Sequence, residues 1–206
     1  MTDSLTAQAT SQGTQQLAEY VQQWIILDLK RRNLDIRPGQ RFLLKNSTNR
    51  HFLQYKKQGT FGGINLGFSD NAEPSTAAKV VHWEFVNRQR TPVKYGEPVA
   101  IRCRDGYLRY GARTVGINLD WSDNPVYEWR LLGGSRPGTP VRTGQWFSIF
   151  NMHADPGEPL IYFKREVGGN IGWPSSKTWM EQGFGWAKEA LQKAIAEYVK
   201  SQAGGK

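Results

Sequence analysis

The chain has 206 residues with 22 Gly, 10 Pro, 8 Trp, 8 Tyr and 9 Phe, and its formal net charge is +9. This length suffices for one domain with a hydrophobic core, and the mixture of aromatic and turn-forming residues is typical of many short strands. The single cysteine, Cys103, excludes an internal disulfide, and the lack of a run of about 18 apolar residues excludes a membrane-spanning helix. The polar first residues lack the features of a signal peptide, which predicts a protein that is cytoplasmic or released without one.

The first forty residues are expected to lie outside the β-domain. Residues 1–13 are small and polar without periodicity, which predicts a disordered tail. Between residues 14 and 40, apolar side chains such as Trp24 and Ile25 recur at helical spacing, and the basic run Lys30–Arg32 would favour a helix C-terminus. We therefore predict an N-terminal helical extension over 14–40.

Residues 41–185 contain three imperfect copies of one unit, at about 41–96, 97–142 and 143–185. Each copy has short apolar or alternating runs separated by Gly, Asn, Asp or Pro, which is the pattern of successive antiparallel strands. The third run of each unit opens with Gly63, Gly116 and Gly168, and the units close with Trp83, Trp129 and Trp179. Three units of four runs predict about twelve strands.

With its recurring GINL-like run and its closing tryptophans, this pattern resembles the β-trefoil, in which three four-stranded units close a short barrel capped by three hairpins. The resemblance covers about 41–185. It implies that the three closing tryptophans fill equivalent positions in the core. Ricin-type sugar-binding trefoils carry a Gln two residues before this Trp; the residues found here are Val81, Tyr127 and Lys177.

A second helix is predicted at the C-terminus. Leu191, Ile195 and Tyr198 fall on one face, with Lys and Glu on the other, which predicts a helix and tail over 186–206. The expected fold class is therefore all-β, a β-trefoil of three repeats with an α-helical extension at each end. The two apolar stripes are expected to pack on the protein's own surface or to form a homodimer through the terminal helices.

The ends of the third runs are the best candidates for ligand binding. In the first two units an aromatic residue precedes Ser-Asp-Asn, and in the third unit Trp173 precedes Pro-Ser-Ser. An aromatic face beside carboxylate and amide groups can bind a sugar ring, although the same short polar residues also make ordinary turns. The predicted ligand-binding residues are Asn65, Asp70, Asn118, Trp121, Asp123 and Trp173.

The positive charge is concentrated in the first unit, where residues 41–96 contain nine Lys and Arg against three Asp and Glu. Clustered charge steers acidic partners and gives binding that weakens with salt, but basic stretches are more often simply solvated. The predicted basic patch consists of Arg50, Lys56, Lys57 and Arg88.

No pattern for catalysis is present. His51, His82 and His153 are far apart in sequence, no HExxH or paired CxxC occurs, and the Gly pairs lack the lysine of a phosphate-binding loop. We therefore expect a protein without enzymatic activity, cofactor or metal.

The favoured function is a lectin-like glycan-binding module. The alternatives are a protein-binding β-trefoil of the fascin-like or inhibitor-like kind, or the targeting component of a toxin. The expected partner is a glycan or an acidic protein surface, whereas the sequence favours neither nucleic acid nor membrane insertion.

Overall fold

The computed structural model describes residues 23–28, 33–57, 64–70, 72–73, 82–113, 117–133, 138–153, 157–162 and 170–173. Within these ranges all regular elements are β-strands and no helix occurs. The strands are β1 (Trp24–Leu27), β2 (Leu43–Asn46), β3 (Leu53–Gln54), β4 (Gly67–Phe68), β5 (Trp83–Val86), β6 (Ala100–Cys103), β7 (Gly106–Tyr110), β8 (Leu119–Ser122), β9 (Trp129–Gly133), β10 (Trp146–Asn151), β11 (Glu158–Pro159), β12 (Ile161–Tyr162) and β13 (Ile171–Gly172).

Six of these strands form a closed ring. Strand β1 pairs antiparallel with β2 on one side and with β10 on the other. Strand β5 pairs with β6, and β9 pairs with β10. Single bridges from Phe42 to Trp83 and from Val99 to Trp129 join β2 to β5 and β6 to β9. Each ring strand therefore has a neighbour on both sides, which leaves little free edge for another chain to pair with.

Three hairpins lie at one end of the ring. They are formed by β3 with β4, β7 with β8, and β12 with β13, and each follows one ring strand along the chain. The short strand β11 also pairs with the end of β10. Each unit thus supplies ring strands and one hairpin, in the order in which its apolar runs occur.

Alternation along the ring strands separates the core from the surface. In β5, Trp83 and Phe85 are fully buried, and the Phe85 ring lies 4.8 Å from the ring of Phe42 and 6.2 Å from that of Phe147. Successive side chains of a strand point to opposite faces. Glu84, between the two aromatic residues, accordingly pairs with Arg41 and Arg102 at 3.2 and 3.6 Å.

Tryptophans link the ring to the hairpins. Three fully buried tryptophans begin the ring strands β1, β5 and β9, namely Trp24, Trp83 and Trp129. Their indole N–H groups donate, each over 2.7 Å, to the backbone carbonyls of Leu160, Leu53 and Leu108. Each also stacks on a hairpin aromatic ring. Trp24 stacks on Phe68 with ring centroids 6.4 Å apart, Trp83 on Trp121 at 6.4 Å, and Trp129 on Trp173 at 6.1 Å. These matching contacts add Trp24 to the closing tryptophans.

The predicted N-terminal helix is wrong, because residues 24–27 form strand β1. Helical and strand periods both place apolar residues in this segment, and Trp24 and Ile26 are buried while Ile25 is only partly so. The strand is favoured because β1 satisfies backbone groups of β2 and β10 at once, whereas a helix would leave both edges unpaired. The expected class is therefore corrected to all-β without an N-terminal helix over these residues.

The same correction removes the basis for packing two terminal helices together. Trp24 and Ile26 lie inside the ring, so they cannot form an exposed helical stripe. The predicted tail 1–13, the predicted helix 186–206 and Trp179 lie outside the described residues.

The end of the ring away from the hairpins is closed by three backbone hydrogen bonds. The N–H of Ile36 donates to the carbonyl of Val141, that of Val141 to Val93, and that of Val93 back to Ile36, each over 2.8 Å. All three side chains are fully buried. We call this surface, residues 36–40, 87–97 and 141–146, the turn end.

A four-residue turn follows each of these three residues. The turns begin at Arg37, Lys94 and Arg142, and the N–H of the fourth residue donates to the carbonyl of the first. Their third positions are Gly39, Gly96 and Gly144, with φ of 83°, 85° and 82°. A positive φ at this position is what a type II turn requires, and glycine adopts it without strain.

Replacing Trp24 by Ala is expected to lower the free energy of unfolding by about 3–5 kcal/mol, as are Trp83→Ala and Trp129→Ala. Each change empties a buried site and leaves a hairpin carbonyl without its donor. Urea unfolding measures the loss. Trp146→Ala is the control, because that side chain is 43% exposed and should cost less than about 1 kcal/mol. A Trp24→Ala variant as stable as wild type would contradict the place of β1 in the ring.

Candidate functional site

The two candidate asparagines brace the hairpins. The side-chain amide of Asn65 donates to the hydroxyl of Tyr55 over 2.8 Å, and that of Asn118 donates to Tyr110 over 3.3 Å. The two bonds occupy equivalent places in the first and second hairpins. Both amides are therefore engaged in holding hairpin loops together, which accounts for their recurrence.

Asp70 forms an ion pair with Lys56, a residue predicted for the basic patch. The Lys56 ammonium lies 2.5 Å from the Asp70 carboxylate. Its hydrogen bond and its charge lower the pKa of Asp70. Both side chains are well exposed, so water screens the pair and its contribution to stability is small. Asp70 and Lys56 thus satisfy each other.

The second hairpin contains two acidic residues with different surroundings. Asp120 binds Arg109 at 3.3 Å and Arg113 at 3.1 Å, and it accepts a hydrogen bond from the backbone N–H of Trp121. Partial burial would raise the pKa of Asp120, but these bonds and charges outweigh it and lower that pKa. Asp123 is exposed, and no Lys or Arg of the described residues lies within 4.0 Å of its carboxylate.

Trp121 and Trp173 differ from the closing tryptophans in their hydrogen bonding. Each is partly exposed and stacks on a closing tryptophan. Their indole N–H groups are shielded from solvent, yet neither has a hydrogen-bond acceptor among the described residues. A buried donor without an acceptor is costly and calls for an explanation such as a bound water or ligand. The equivalent residue of the first unit is Phe68, which has no donor.

Trp121 lies where the first and second units meet. A Cβ on Gly106 would come within 3.2 Å of the Trp121 ring, so a larger residue there would push this ring by a few tenths of an ångström. The Tyr55 ring tilts against Trp121 with centroids 5.8 Å apart, and the Arg104 guanidinium lies 4.7 Å from the centre of the Tyr55 ring. This border is therefore aromatic with a cation beside it.

The predicted basic patch does not form one surface. Arg50, Lys56 and Lys57 lie in the segment that contains β3, on the side of the hairpins. Arg88 follows the far end of β5 and lies over the ring of Tyr127, 5.0 Å from its centre. Because β5 begins at the hairpins and runs away from them, residues close in sequence are placed at opposite ends of the ring.

Polar junctions beside the closing tryptophans were missed by the sequence analysis. The side-chain oxygen of Gln23 accepts from the Asn46 amide over 3.2 Å and from the backbone N–H of Tyr162 over 2.7 Å. The Glu128 carboxylate accepts in the same way from the Asn151 amide, over 2.9 Å, and from the backbone N–H of Tyr110. A Gln or Glu directly before a closing Trp could have predicted these junctions, but only if Trp24 is counted among the closing tryptophans.

Cys103 occupies the corresponding position of the third junction. Its Cα faces Trp83 across the β5–β6 ladder, as Asn46 faces Trp24 across β1–β2. Burial raises the pKa of the Cys103 thiol from 9.0 to about 11, against the opposing effect of a hydrogen bond from the backbone of Tyr55. The buried thiol thus behaves as a small apolar group with a protein N–H beside it.

This pKa predicts that part of the stability is lost in alkali. In the unfolded chain the thiol ionises near its ordinary value, whereas the folded protein keeps the proton up to about pH 11. The folded state therefore binds more protons between about pH 9 and 11, and stability falls as the pH rises through this window.

The test compares the free energy of unfolding of wild type and Cys103→Ala at several pH values. The free energy of unfolding of wild type is expected to fall relative to that of Cys103→Ala as the pH rises. Tyr and Lys ionisation is common to both proteins and cancels in this difference. A difference that is constant from pH 8 to 11 would contradict the raised pKa of Cys103.

Among the described residues no group of three or more His, Cys, Asp and Glu side chains is placed to hold a metal ion. In the same part of the chain no helix has the length and apolar character that crossing a membrane requires. Comparison of the chain with protein-family models, with curated proteins and with solved structures found no match.

Proposed function

We propose that the protein is a non-enzymatic, lectin-like module that binds a glycan on its second unit, beside Trp121 and Asp123. The β-trefoil resemblance stays a prediction, and the three-fold recurrence of ring strands, hairpins and closing tryptophans supports it. The single observation that supports the glycan proposal is a difference between the first two units. Among the described residues, the candidate groups of the first unit are bonded within the protein, whereas Asp123 of the second unit is not paired with a cation.

In the first unit the candidate groups are already engaged. Asn65 bonds Tyr55, Asp70 pairs with Lys56, and the aromatic position is Phe68, which has no donor. In the second unit, Asn118 is likewise bonded within its hairpin, but Asp123 has no Lys or Arg partner in the part of the chain that the structure describes. The second unit therefore keeps groups that a ligand can use.

The indole of Trp121 supplies the apolar part of the proposed site. Sugar rings bind on aromatic surfaces beside a few convergent polar groups, and Trp121 is partly exposed two residues before Asp123. Its N–H has no acceptor among the described residues and is shielded from solvent, so a water held between the indole and the glycan would supply one. Ligand binding would then remove an unfavourable feature of the free protein.

The sequence before Trp24 adds limited support. The residue two positions before Trp24 is Gln22, as in ricin-type sugar-binding trefoils, whereas Val81 and Tyr127 hold this place before Trp83 and Trp129. The match therefore supports a lectin-like reading at one of the three closing tryptophans that the structure describes.

A glycan array tests the proposal, followed by calorimetry with the best-bound glycan. Asp123→Asn is expected to weaken binding by about tenfold or more, as the loss of a charged hydrogen-bond partner does. Asp70→Asn is the matched control, because it makes the same change at the equivalent place of the first unit, and it should bind like wild type.

Trp121→Phe places the first unit's own residue in the second unit. The ring stays but the indole N–H is lost, so we expect weaker glycan binding with little loss of stability. A glycan array without a selective signal, or equal losses in the Asp70 and Asp123 variants, would contradict the proposal. Retention of a specific protein partner by a chain that binds no glycan would favour the protein-binding alternative.

A further inference from the structure

The turn end presents a basic residue after each of its three buried corner residues. Arg37, Lys94 and Arg142 directly follow Ile36, Val93 and Val141, and all three basic side chains are exposed. Three backbone hydrogen bonds of 2.8 Å join the corner residues to one another, so the backbone positions of the three basic residues are close together. The first unit adds Arg88 and Arg90 to this surface.

The acidic residues at the turn end already have partners within the protein. Asp35 pairs with Arg142 at 2.9 Å. The Glu97 carboxylate accepts from the backbone N–H of Lys94 over 2.8 Å and from the Asn87 amide over 2.9 Å. Of the five basic residues, Arg142 is paired with Asp35 and Arg88 lies over the Tyr127 ring, whereas Arg37, Lys94 and Arg90 have no carboxylate of the described residues within 4.0 Å. An uncompensated positive surface therefore remains.

The backbone that carries these cations is held firmly. Tyr95 and Thr143 donate their N–H groups to neighbouring loops, to Thr139 and Leu34, each over 3.0 Å. Pro38, at the same place in the first turn, has no N–H to donate. There the Asn87 amide bonds the carbonyl of Thr91 over 3.0 Å. Fixed positions reduce the entropy that a partner must overcome on binding.

An exposed tryptophan follows the third turn. Trp146 is 43% exposed and is the one large hydrophobic side chain classed as exposed among the described residues. It begins β10 directly after the turn that starts at Arg142. Trp and Arg are the residues most enriched among those that dominate protein–protein binding energy.

From this arrangement we propose that the turn end binds an acidic segment of another protein. Carboxylates of the segment pair with Arg37 and Lys94, and an apolar side chain of the segment packs on Trp146. Nucleic acid fits less well, because its affinity comes from many phosphate contacts, and three free cations with one indole supply few. This surface is at the opposite end of the ring from the proposed glycan site, so the two proposals stand independently.

The test measures binding of a labelled synthetic Glu-rich peptide that has one central Phe, with its Gln-substituted counterpart as control. The Glu-rich peptide is expected to bind selectively, and its binding is expected to weaken as salt rises. Replacing both Arg37 and Lys94 by Gln should weaken binding by about tenfold or more, and Trp146→Ala should weaken it as well.

The matched control replaces both Arg50 and Lys57 by Gln, which removes the same charge on the side of the hairpins. This variant should bind the peptide like wild type. Equal weakening in the two double variants, or no preference for Glu over Gln in the peptide, would overturn the proposal. So would tighter binding of a heparin oligosaccharide that depends on Arg37 and Lys94, because the surface would then be one for anionic glycans.

Discussion

The hydrogen bond from each closing indole to a hairpin carbonyl joins the two parts of the molecule. The ring alone would be open at the end where Trp24, Trp83 and Trp129 begin their strands, and the two-stranded hairpins are too small to be stable alone. The indoles fill this opening, bond the hairpin backbone at 2.7 Å and stack on hairpin aromatics. The positions of all candidate ligand residues follow from this contact.

The two ends of the ring use different interactions. At the hairpin end, side chains make the closure, so substitutions between units change the chemistry there: Phe68 becomes Trp121, and Asn46 becomes Cys103. At the turn end, the backbone makes the closure through three equal hydrogen bonds. Exposed side chains on that end can therefore differ between units, whereas the buried corner residues and the turn glycines are the same or similar in all three.

Much of this fold could be predicted from local patterns. The Gly-opened runs do form hairpins in the first two units, and Trp83 and Trp129 are core residues, because turn residues and strand alternation act over short distances. Trp24 could not be placed in this way, since its segment satisfies helical and strand periods alike, and one of its two partner strands, β10, lies far away in sequence. The turn-end motif, an Ile or Val followed by a basic residue and a Gly two positions later, is visible in the sequence and could have predicted the three turns.

The candidate site was predictable only in part. Residue types indicated aromatic and acidic groups in the right hairpins, but sequence cannot tell a free carboxylate from a paired one. Asp70 and Asp123 look equivalent in the repeat, and only the folded structure gives Asp70 the neighbour Lys56. The same holds for the basic residues, which strand direction divides between the two ends.

The place of β1 between β2 and β10 also has a consequence for biosynthesis. Trp24 can pair with β2 soon after both are synthesised, but its other partner, Phe147, is synthesised much later. Long-range strand pairing is slow, and an unpaired strand edge on a nascent chain invites aggregation. The growing polypeptide therefore carries an incomplete sheet until β10 has emerged.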